Sequence, residues 1–383
     1  MSPATEALAG KQVSGRVNMS KEARLLFVVT YFLVGIGIVM IYSASGVLAH
    51  DWHGNEMFFL IRQVLYVLLG TIGFFVAAML PIHFYKQNAR AFMLLAIMLL
   101  MTVYLPVIGH SAGGARRWIH IGGFQFQPVE FAKLTCCIYL ADYLARKIAW
   151  VQKGDVKVFL PPLILIGLVC ILTLLEPDLG SVAYIVMTTA TIFFLSGLQL
   201  RYVLGAVAVL LPALYFLIIR VPYRLSRLEA YLNPWEDPQG SGFQIIQSFL
   251  AFASGGIHGV GLGQSTQKLF YLPSSHNDFI LAVIGEELGL IGIMIVIALY
   301  VLFFLCCIRM ARRTEQPFEK LLITSITLLI ILQTVFHMMV ATGLVPTKGL
   351  PLPFISYGGS SIVVNLIAVG ILIAVDRRKR RSA

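Results

Sequence analysis

Long apolar runs are the feature that most limits what this chain can fold into. Of its 383 residues, 58% are hydrophobic and only 12% are charged, whereas soluble domains carry about 25% charged residues. A helix needs about 20 apolar residues to cross the hydrocarbon core of a bilayer. The sequence therefore predicts an all-α polytopic membrane protein with ten transmembrane helices, near residues 25–43, 57–80, 91–109, 128–145, 158–175, 180–198, 202–219, 279–308, 321–342 and 361–375.

The basic residues indicate how these helices are oriented. With the N-terminus inside, the inner segments hold 20 of the 29 lysines and arginines and the outer loops hold seven. Cytoplasmic loops of membrane proteins are enriched in these residues, so both termini are predicted to be cytoplasmic. The net charge of +11 is scattered between apolar runs. A nucleic-acid partner, which would need a basic soluble face, is therefore not expected.

One predicted connection is much longer than the others, the outer loop 220–278 between the seventh and eighth helices. Its apolar patch at 243–253 places Ile246, Phe249, Leu250 and Ala253 at helical spacing, which predicts a helix lying in the membrane interface. An eleventh span would put the basic C-terminus outside. The predicted organisation is a cytoplasmic tail, one transmembrane domain and a basic cytoplasmic tail, at residues 1–24, 25–375 and 376–383.

Ionisable residues inside or beside the helices gather on the predicted outer side. A charge at membrane depth is costly and marks a functional site by default. A proton or ion pump would carry such groups through the midplane, so this pattern indicates a polar cavity that opens outward. The residues concerned are Arg62, Glu130, Lys133, Glu176, Asp178, Glu286 and Glu287.

Asp278 precedes the eighth predicted helix in the stretch YLPSSHNDFILAVIGEELG. It can cap that helix, or it can be a functional carboxylate that nearby cations and substrate meet. Glu286 lies about 80° around the helix from Asp278 and Glu287 about 180°. Glu286 is thus expected in the same cavity and Glu287 against another helix. His276 can orient a group or be an ordinary loop histidine.

A further polar segment leads into the fourth predicted helix. In GGARRWIHIGGFQFQPVEFAK, residues 113–133, Arg116 and Arg117 can bind phosphate and Trp118 can anchor at the interface or stack on a sugar. Glu130 and Lys133 are three residues apart and can pair on one helix face. This segment is either a ligand-binding loop or a positioning loop with a structural ion pair.

The remaining polar segments are a short turn and a proline-rich loop. In LLEPDLGS, residues 174–181, Glu176 or Asp178 can bind a cation, although one turn offers few ligands, or Asp178 can cap the next helix. The loop 343–361 contains three prolines and cannot be helical throughout. It can line a cavity or act as a rigid plug.

These segments, taken in order, resemble the SEDS family of bacterial cell-wall polymerases, the group that contains FtsW and RodA. The matching pieces are GARRWI, FQP, EFAK, EPDLGS, NPWEDPQGSGFQ, GGIHGVGLGQSTQK, YLPSSHNDFILAVIGEELG and GLPLPFISYGGSS, over roughly residues 113–365. NPWEDPQGSGFQ and QKLFYLP are more similar to the division branch than to the RodA branch, with a sporulation relative as an alternative. The chain departs from the usual family pattern at Ser274, Ser275, Asn277, Thr347 and Lys348.

The resemblance implies a peptidoglycan glycosyltransferase that polymerises lipid II at the outer face of the bacterial cytoplasmic membrane, at the division septum. Its implied partners are a class B penicillin-binding transpeptidase and other division proteins. The family's essential aspartate corresponds to Asp278. A lipid II transporter and a non-catalytic division scaffold are the alternatives, although a transporter needs polar groups on the inner side too.

On this interpretation Asp278 is the general base for an inverting glycosyl transfer. Cationic groups, with a divalent cation such as Mg²⁺ or Mn²⁺ as an added candidate, stabilise the pyrophosphate leaving group. The residues expected to bind substrate are Arg116, Arg117, Trp118, Lys133, Lys268, Lys348, Ser356 and Tyr357. The residues expected to support the site are Arg62, Glu130, Glu176, Asp178, His276 and Glu286.

Overall fold

The computed structural model describes residues 19–105, 109–112, 115–121, 124–268 and 276–382. Helices dominate this part of the chain, with one small sheet between the fourth and fifth of them. The helices are α1 (Lys21–His53), α2 (Phe58–Met79), α3 (Ile82–Gln87), α4 (Ala89–Thr102), α5 (Pro128–Arg146), α6 (Ile148–Gln152), α7 (Leu160–Leu175), α8 (Leu179–Leu195), α9 (Leu200–Ile219), α10 (Pro222–Leu232), α11 (Phe243–Gly255), α12 (Ile280–Arg313), α13 (Pro317–Ala341) and α14 (Gly359–Ser382).

Each of the ten predicted apolar runs coincides with a helix: α1, α2, α4, α5, α7, α8, α9, α12, α13 and α14. Six helical segments in the described part are long and apolar enough to cross a membrane, namely Lys21–His53, Phe58–Met79, Val156–Leu175, Ile280–Arg313, Pro317–Ala341 and Gly359–Arg377. The chain is therefore a multi-pass membrane protein. The predicted run 91–109 extends too far, because α4 ends at Thr102 and Gly109 already begins a strand.

The expectation of an all-α chain is wrong between α4 and α5. Strands β1 (Gly109–Ala112), β2 (Ala115–Ile121) and β3 (Phe124–Phe126) form an antiparallel sheet in the order β1-β2-β3. Its alternating residues and tight connections suit hairpins, but the segment is too short and polar to stand out beside the apolar runs. The Tyr66 hydroxyl accepts a hydrogen bond from the Gln125 amide, which ties β3 to α2.

Close helix packing explains how the bundle holds together. A Cβ on Gly70 of α2 would meet Leu366 at 2.7 Å, and one on Gly370 of α14 would meet the Phe74 carbonyl oxygen at 2.4 Å. Small residues at these crossings let the two backbones approach, as is typical of membrane helices. The pair α2 and α14 thereby forms one side of the core, and α5 packs against α13 on the other.

Helix α12 is interrupted at Gly289, whose φ of 66° lies in the left-handed region that glycine tolerates. The loop after α11 inserts at this break. The amides of Val260 and Gly261 donate to the carbonyls of Glu286 and Glu287, and the amide of Leu290 donates to the Gly256 carbonyl. Broken helices at membrane depth need such replacement partners. The insertion therefore sets the position of both glutamates.

The predicted helix in the loop 220–278 is present as α11, but a second helix there, α10, was not expected. The buried face of α11 also differs from the predicted stripe, because Ser248 and Ala251 are buried whereas Leu250 is 43% exposed. The Ser248 hydroxyl donates to the Ala341 carbonyl at 2.7 Å. Close contact with α12 and α13 thus favours small residues over the larger apolar ones.

Candidate functional site

Asp278 lies in a turn immediately before α12 and is only partly exposed. A Cβ on Gly349 would stand 3.4 Å from Asp278 Oδ2, so the proline-rich loop passes directly beside the carboxylate. Asp278 Oδ1 is buried and has no hydrogen-bond partner among the described residues. Phe279, the N-cap residue of α12, follows it. Asp278 is thus not the cap of this helix, and one of its oxygens remains available for chemistry.

The proline-rich loop is fastened to the Asp278 turn by a set of hydrogen bonds. The Ser356 hydroxyl donates to the Asn277 carbonyl at 2.7 Å and accepts from the Leu352 amide at 2.8 Å. The Tyr357 amide donates to the His276 carbonyl at 2.9 Å. Ser356 therefore positions the loop, and its expected contact with substrate stays a prediction.

The same loop is held from the opposite side by α13. Gln333 donates to the Pro351 carbonyl at 2.7 Å, and Nδ1 of the buried His337 lies 2.9 Å from the Leu350 carbonyl oxygen. Both side chains are separated from Asp278 by many residues in sequence. They fix the backbone next to Gly349, so the approach to Asp278 is rigid rather than a mobile flap.

Arg227 of α10 supplies the positive charge that acts on Asp278. Its guanidinium donates to the Thr347 carbonyl at 3.0 Å, two residues before Gly349. Burial raises the pKa of Asp278 to about 6, and the nearby positive charge of Arg227 opposes that rise. The carboxyl therefore titrates close to neutrality, in the range that suits a general base. Arg227 was not among the predicted site residues, because it lies on α10, a helix that the sequence did not predict.

The side chain of Lys348 extends towards the turn between α7 and α8. A Cβ added to Gly180 would lie 3.6 Å from Lys348 Cδ and 3.5 Å from Asp178 Oδ1. Asp178 accepts hydrogen bonds from the Ser181 amide at 3.0 Å and the Ser181 hydroxyl at 2.8 Å. It therefore caps α8, one of the two roles considered for it. The proline-rich loop thus connects this turn with Asp278.

Arg117 of β2 binds the same turn through its backbone. Its Nε donates to the Glu176 carbonyl at 2.9 Å and its NH2 group to the Pro177 carbonyl at 2.6 Å. Both carboxylate oxygens of Glu176 are buried without a hydrogen-bond partner in the described structure. Burial, followed by the like charge of Asp178, raises the pKa of Glu176 to about 8. Arg117 thus makes a positioning contact, and its expected contact with phosphate stays a prediction.

The two other expected substrate contacts on the sheet are placed differently. Arg116 is exposed at the irregularity where the pairing of β1 and β2 shifts its register. Trp118 is partly buried on β2, opposite His110. Arg116 is therefore the member of this basic pair whose side chain faces outward from the protein.

Glu130 and Lys133 form the ion pair that their spacing allows. Lys133 Nζ lies 2.7 Å from Glu130 Oε1, and both side chains are buried on α5. The ammonium also lies 5.2 Å from the centre of the Tyr184 ring, within the range of a cation–π contact. With its partner removed, either charge would be buried and unpaired, so each side chain depends on the other.

Lys268 is engaged by a glutamate rather than by Asp278. Its ammonium lies 2.9 Å from Glu287 Oε1 and donates to the Ser43 hydroxyl of α1 at 3.1 Å. Ser43 in turn donates to Glu287 at 2.6 Å. Glu287 thus meets another helix, as expected. A cavity of about 420 Å³ adjoins this group, and its lining includes Tyr42, Glu56 and Lys268.

The sequence predicts Glu286 in the same cavity as Asp278, but its carboxylate is enclosed by another segment. It accepts hydrogen bonds from the Ser265 hydroxyl, the Thr266 hydroxyl at 3.0 Å and the Thr266 amide at 2.9 Å. Only 1% of Glu286 is exposed. The carboxylate therefore fixes the loop that carries Lys268, an outcome that depends on the break in α12 and that helical geometry alone does not predict.

An aromatic cluster encloses His276. The His276 ring lies 4.7 Å from that of Phe59 and 5.6 Å from that of Tyr357, between ring centres. Arg62 lies over the Phe58 ring at 4.6 Å from its centre, and its positive charge acts on Tyr357. Burial lowers the pKa of His276 to about 4, so the imidazole is neutral at physiological pH. The cluster places Arg62, Tyr357 and His276 beside the Asp278 turn.

A divalent cation, Mg²⁺ or Mn²⁺, is a candidate component of the site. Within the described ranges, no three or more His, Cys, Asp or Glu side chains are grouped as metal ligands. Ser274 and Ser275, two of the departures from the family pattern, lie outside the described residues. A metal site built by protein side chains alone thus has no support from the described residues.

The fold and the site define a multi-pass membrane protein with a buried acidic group at one end of its helical bundle. Residues 23–381 match the family described as "Cell cycle protein", which comprises FtsW, RodA and SpoVE. The chain belongs to this family.

Named relatives are similar over nearly their whole lengths. A probable peptidoglycan glycosyltransferase FtsW from Geobacter metallireducens is 42% identical, covering 95% of this chain and 98% of the relative. The protein of the same description from Coxiella burnetii is 40% identical, covering 95% and 98%.

Solved structures share the fold. A chain from a structure titled "Structural coordination of polymerization and crosslinking by a peptidoglycan synthase complex" superposes with a TM-score of 0.77 at 28% identity, covering 94% of this chain and 98% of that one. The rod shape determining protein RodA of Thermus thermophilus gives 0.67 at 25% identity, covering 92% and 95%.

Proposed function

We propose that this chain is a peptidoglycan glycosyltransferase that polymerises lipid II into β-1,4 glycan strands during cell division. The relatives named as FtsW support the reaction and the branch of the family. Within the molecule, the observation that carries the proposal is Asp278, a carboxylate with a raised pKa and an oxygen that no described group occupies.

The proposed arrangement in the membrane has ten spans, formed by α1, α2, α4, α5, α7, α8, α9, α12, α13 and α14. Both termini lie in the cytoplasm, because the positively charged segments then face inward. The single transmembrane domain covers residues 25–375 between the two cytoplasmic tails. Asp278, the sheet and the proline-rich loop then lie at the outer face, where lipid-linked disaccharide is polymerised.

Asp278 acts as the general base in the proposed reaction. It accepts the proton of the acceptor sugar 4-hydroxyl as that oxygen forms a bond to the anomeric carbon of the donor. The bond from that carbon to the lipid pyrophosphate breaks, and the pyrophosphate leaves with the electron pair. Because attack and departure occur on opposite faces, an α-linked donor gives a β-linked product without a covalent enzyme intermediate.

Cationic groups around the proline-rich loop stabilise the leaving pyrophosphate. Lys348 and Arg227 lie on and beside this loop, and Arg116 is exposed on the nearby sheet. Preorganised charges of this kind act most strongly where water is excluded. Lys133 and Arg117 were also expected in this role. Lys133 pairs with Glu130, and Arg117 donates to the turn after α7, which favours indirect roles for both.

The proposal includes a Mg²⁺ or Mn²⁺ ion that would help to stabilise the leaving pyrophosphate. Magnesium is commonly held by one or two carboxylates together with substrate phosphates and water. Asp278 and the substrate pyrophosphate match that ligand set. The protein partners proposed are a class B penicillin-binding transpeptidase and other division proteins at the septum, in keeping with the synthase complex to which the fold is similar.

Polymerisation of labelled lipid II by the purified protein, with its transpeptidase partner present, tests the proposal. Asp278→Asn keeps the shape of the side chain but removes the base, so the rate should fall by about 10²–10⁴-fold. Asp51→Asn is the matched control, because Asp51 is exposed near the end of α1, and it should polymerise as the wild type does. Full activity of a folded Asp278→Asn variant would contradict the base assignment. Movement of lipid II across vesicles without any polymerisation would favour the transporter alternative.

A further inference from the structure

A groove lies between α1, α2 and α14 at the end of the bundle where α1 begins and the other two helices finish. Its volume is about 470 Å³. Phe27, Val28, Phe75 and Met79 form much of its wall, and Arg24 and Arg377 also line it. Val28 is 59% and Met79 70% exposed. The groove therefore combines an open apolar wall with two permanent positive charges.

The carboxylates closest in sequence to these arginines are used elsewhere. Glu22 pairs with Arg313 at 2.6 Å, and Asp376 accepts a hydrogen bond from the Ser20 amide at 2.8 Å. Arg377 donates to the Ala78 carbonyl at 2.8 Å near the end of α2, which holds its guanidinium at the groove. Within the described ranges, no ion pair neutralises Arg24 or Arg377. Their positive charges are thus available to a ligand that binds in the groove.

We propose that this groove binds an anionic phospholipid of the cytoplasmic leaflet. The lipid phosphate lies between Arg24 and Arg377, and one acyl chain lies along Val28, Phe75 and Met79. Guanidinium groups recognise phosphate through paired hydrogen bonds, and basic pockets between transmembrane helices on the cytoplasmic side are sites for anionic head groups.

The inference uses the proposed orientation of the helices but not the proposed reaction. A zwitterionic lipid has the same chains and also a phosphate, but the cation of its head group cancels the net charge, so the two arginines attract it less strongly than an anionic lipid. A peptide or soluble protein would have to cover side chains that already face the hydrocarbon. Charge complementarity together with the apolar wall therefore points to an anionic lipid.

Native mass spectrometry of the full-length purified protein, titrated with phosphatidylglycerol or phosphatidylcholine, tests the site. Each basic side chain near an anionic lipid strengthens binding about fivefold, so Arg24→Gln with Arg377→Gln should weaken phosphatidylglycerol binding about 30-fold. Phosphatidylcholine binding should change less than about threefold. The matched control is Arg201→Gln with Arg312→Gln, two exposed arginines that are not among the lining residues of the groove, which should keep phosphatidylglycerol binding within about threefold of wild type.

Val28→Trp distinguishes binding in the groove from attraction by general surface charge, because the larger side chain fills the groove while both arginines are kept. It should weaken phosphatidylglycerol binding by about tenfold or more, and thermal unfolding should show that every variant is folded. Equal phosphatidylglycerol binding by the Arg24 and Arg377 double variant and the control would overturn the proposal. Unchanged binding by Val28→Trp would also overturn it, because the lipid would then be attracted by surface charge alone. Lipid binding is measured without lipid II, so a failure here is independent of the proposed activity.

Discussion

Asp278 and Glu287 are two carboxylates near the same end of α12, yet their surroundings are opposite. Glu287 is surrounded by donors, with the Lys268 ammonium at 2.9 Å and the Ser43 hydroxyl at 2.6 Å. Asp278 has a buried oxygen without a described hydrogen-bond partner and a glycine beside it. A fully paired carboxylate stabilises the fold, whereas an unpaired one is costly to bury. The difference separates the residues that build the site from the residue proposed to react.

The largest effect on stability is expected where the pairing is most complete. Glu287→Gln leaves the Lys268 ammonium buried without its counter-charge, so the free energy of unfolding should fall by about 3–5 kcal/mol. Unfolding in a denaturing detergent, followed by tryptophan fluorescence, measures this change. Adding Lys268→Met should recover much of the loss, because the double variant removes both charges. If Glu287→Gln were as stable as wild type, the pairing of Glu287 with Lys268 would not be what stabilises this part of the fold.

Asp278→Asn is expected to act in the opposite direction and to stabilise the protein. Burial raises the folded-state pKa of Asp278 to about 6 from the ordinary 3.8. Ionising the buried carboxyl therefore costs free energy in the folded state. The free energy of unfolding of the wild type should fall as the pH rises from about 4 to about 6. Above that range the variant should be more stable by on the order of 3 kcal/mol.

Unfolding curves of wild type and Asp278→Asn at pH 4.5 and pH 7.5 measure this difference. The gap between the two proteins should widen with pH, and Asp51→Asn serves as the exposed control. A variant less stable than wild type at pH 7.5 would mean that Asp278 is paired after all.

Asp178 is expected to show the smallest effect, since its role is local. It caps α8 through the Ser181 amide, so Asp178→Ala should cost about 1 kcal/mol of unfolding free energy. Asp178→Asn, which can still accept that hydrogen bond, should cost only a few tenths. Lipid II polymerisation should persist in both variants. Loss of polymerisation in a stable Asp178→Asn protein would move Asp178 into the reactive group.

Much of the helical architecture could be predicted from the sequence, because lipid-facing and buried helices both need long apolar runs. The position of Asp278 before α12 follows from the run that begins with Phe279. The pair of Glu130 and Lys133 follows from spacing along one helix. These predictions depend only on local chemistry and on the thickness of the bilayer.

The rest depends on contacts between distant segments. The break at Gly289 is stabilised by backbone groups of residues 256–261, and hydropathy treats the helix as continuous. The approach of Gly349 to Asp278 depends on Gln333 and His337 of another helix. The sheet was missed because short strands leave little signal beside long apolar runs. Arg227 was missed for a related reason, since α10 is amphipathic and short.

The pH dependence of lipid II polymerisation under single-turnover conditions tests the central claim most directly. If Asp278 is the base, the rate should rise about tenfold per pH unit below an apparent pKa near 6 and level off above it. The residual rate of Asp278→Asn should lack this rise between pH 5 and pH 7. A wild-type rate that is flat across this range, or the same rise in Asp278→Asn, would contradict the account.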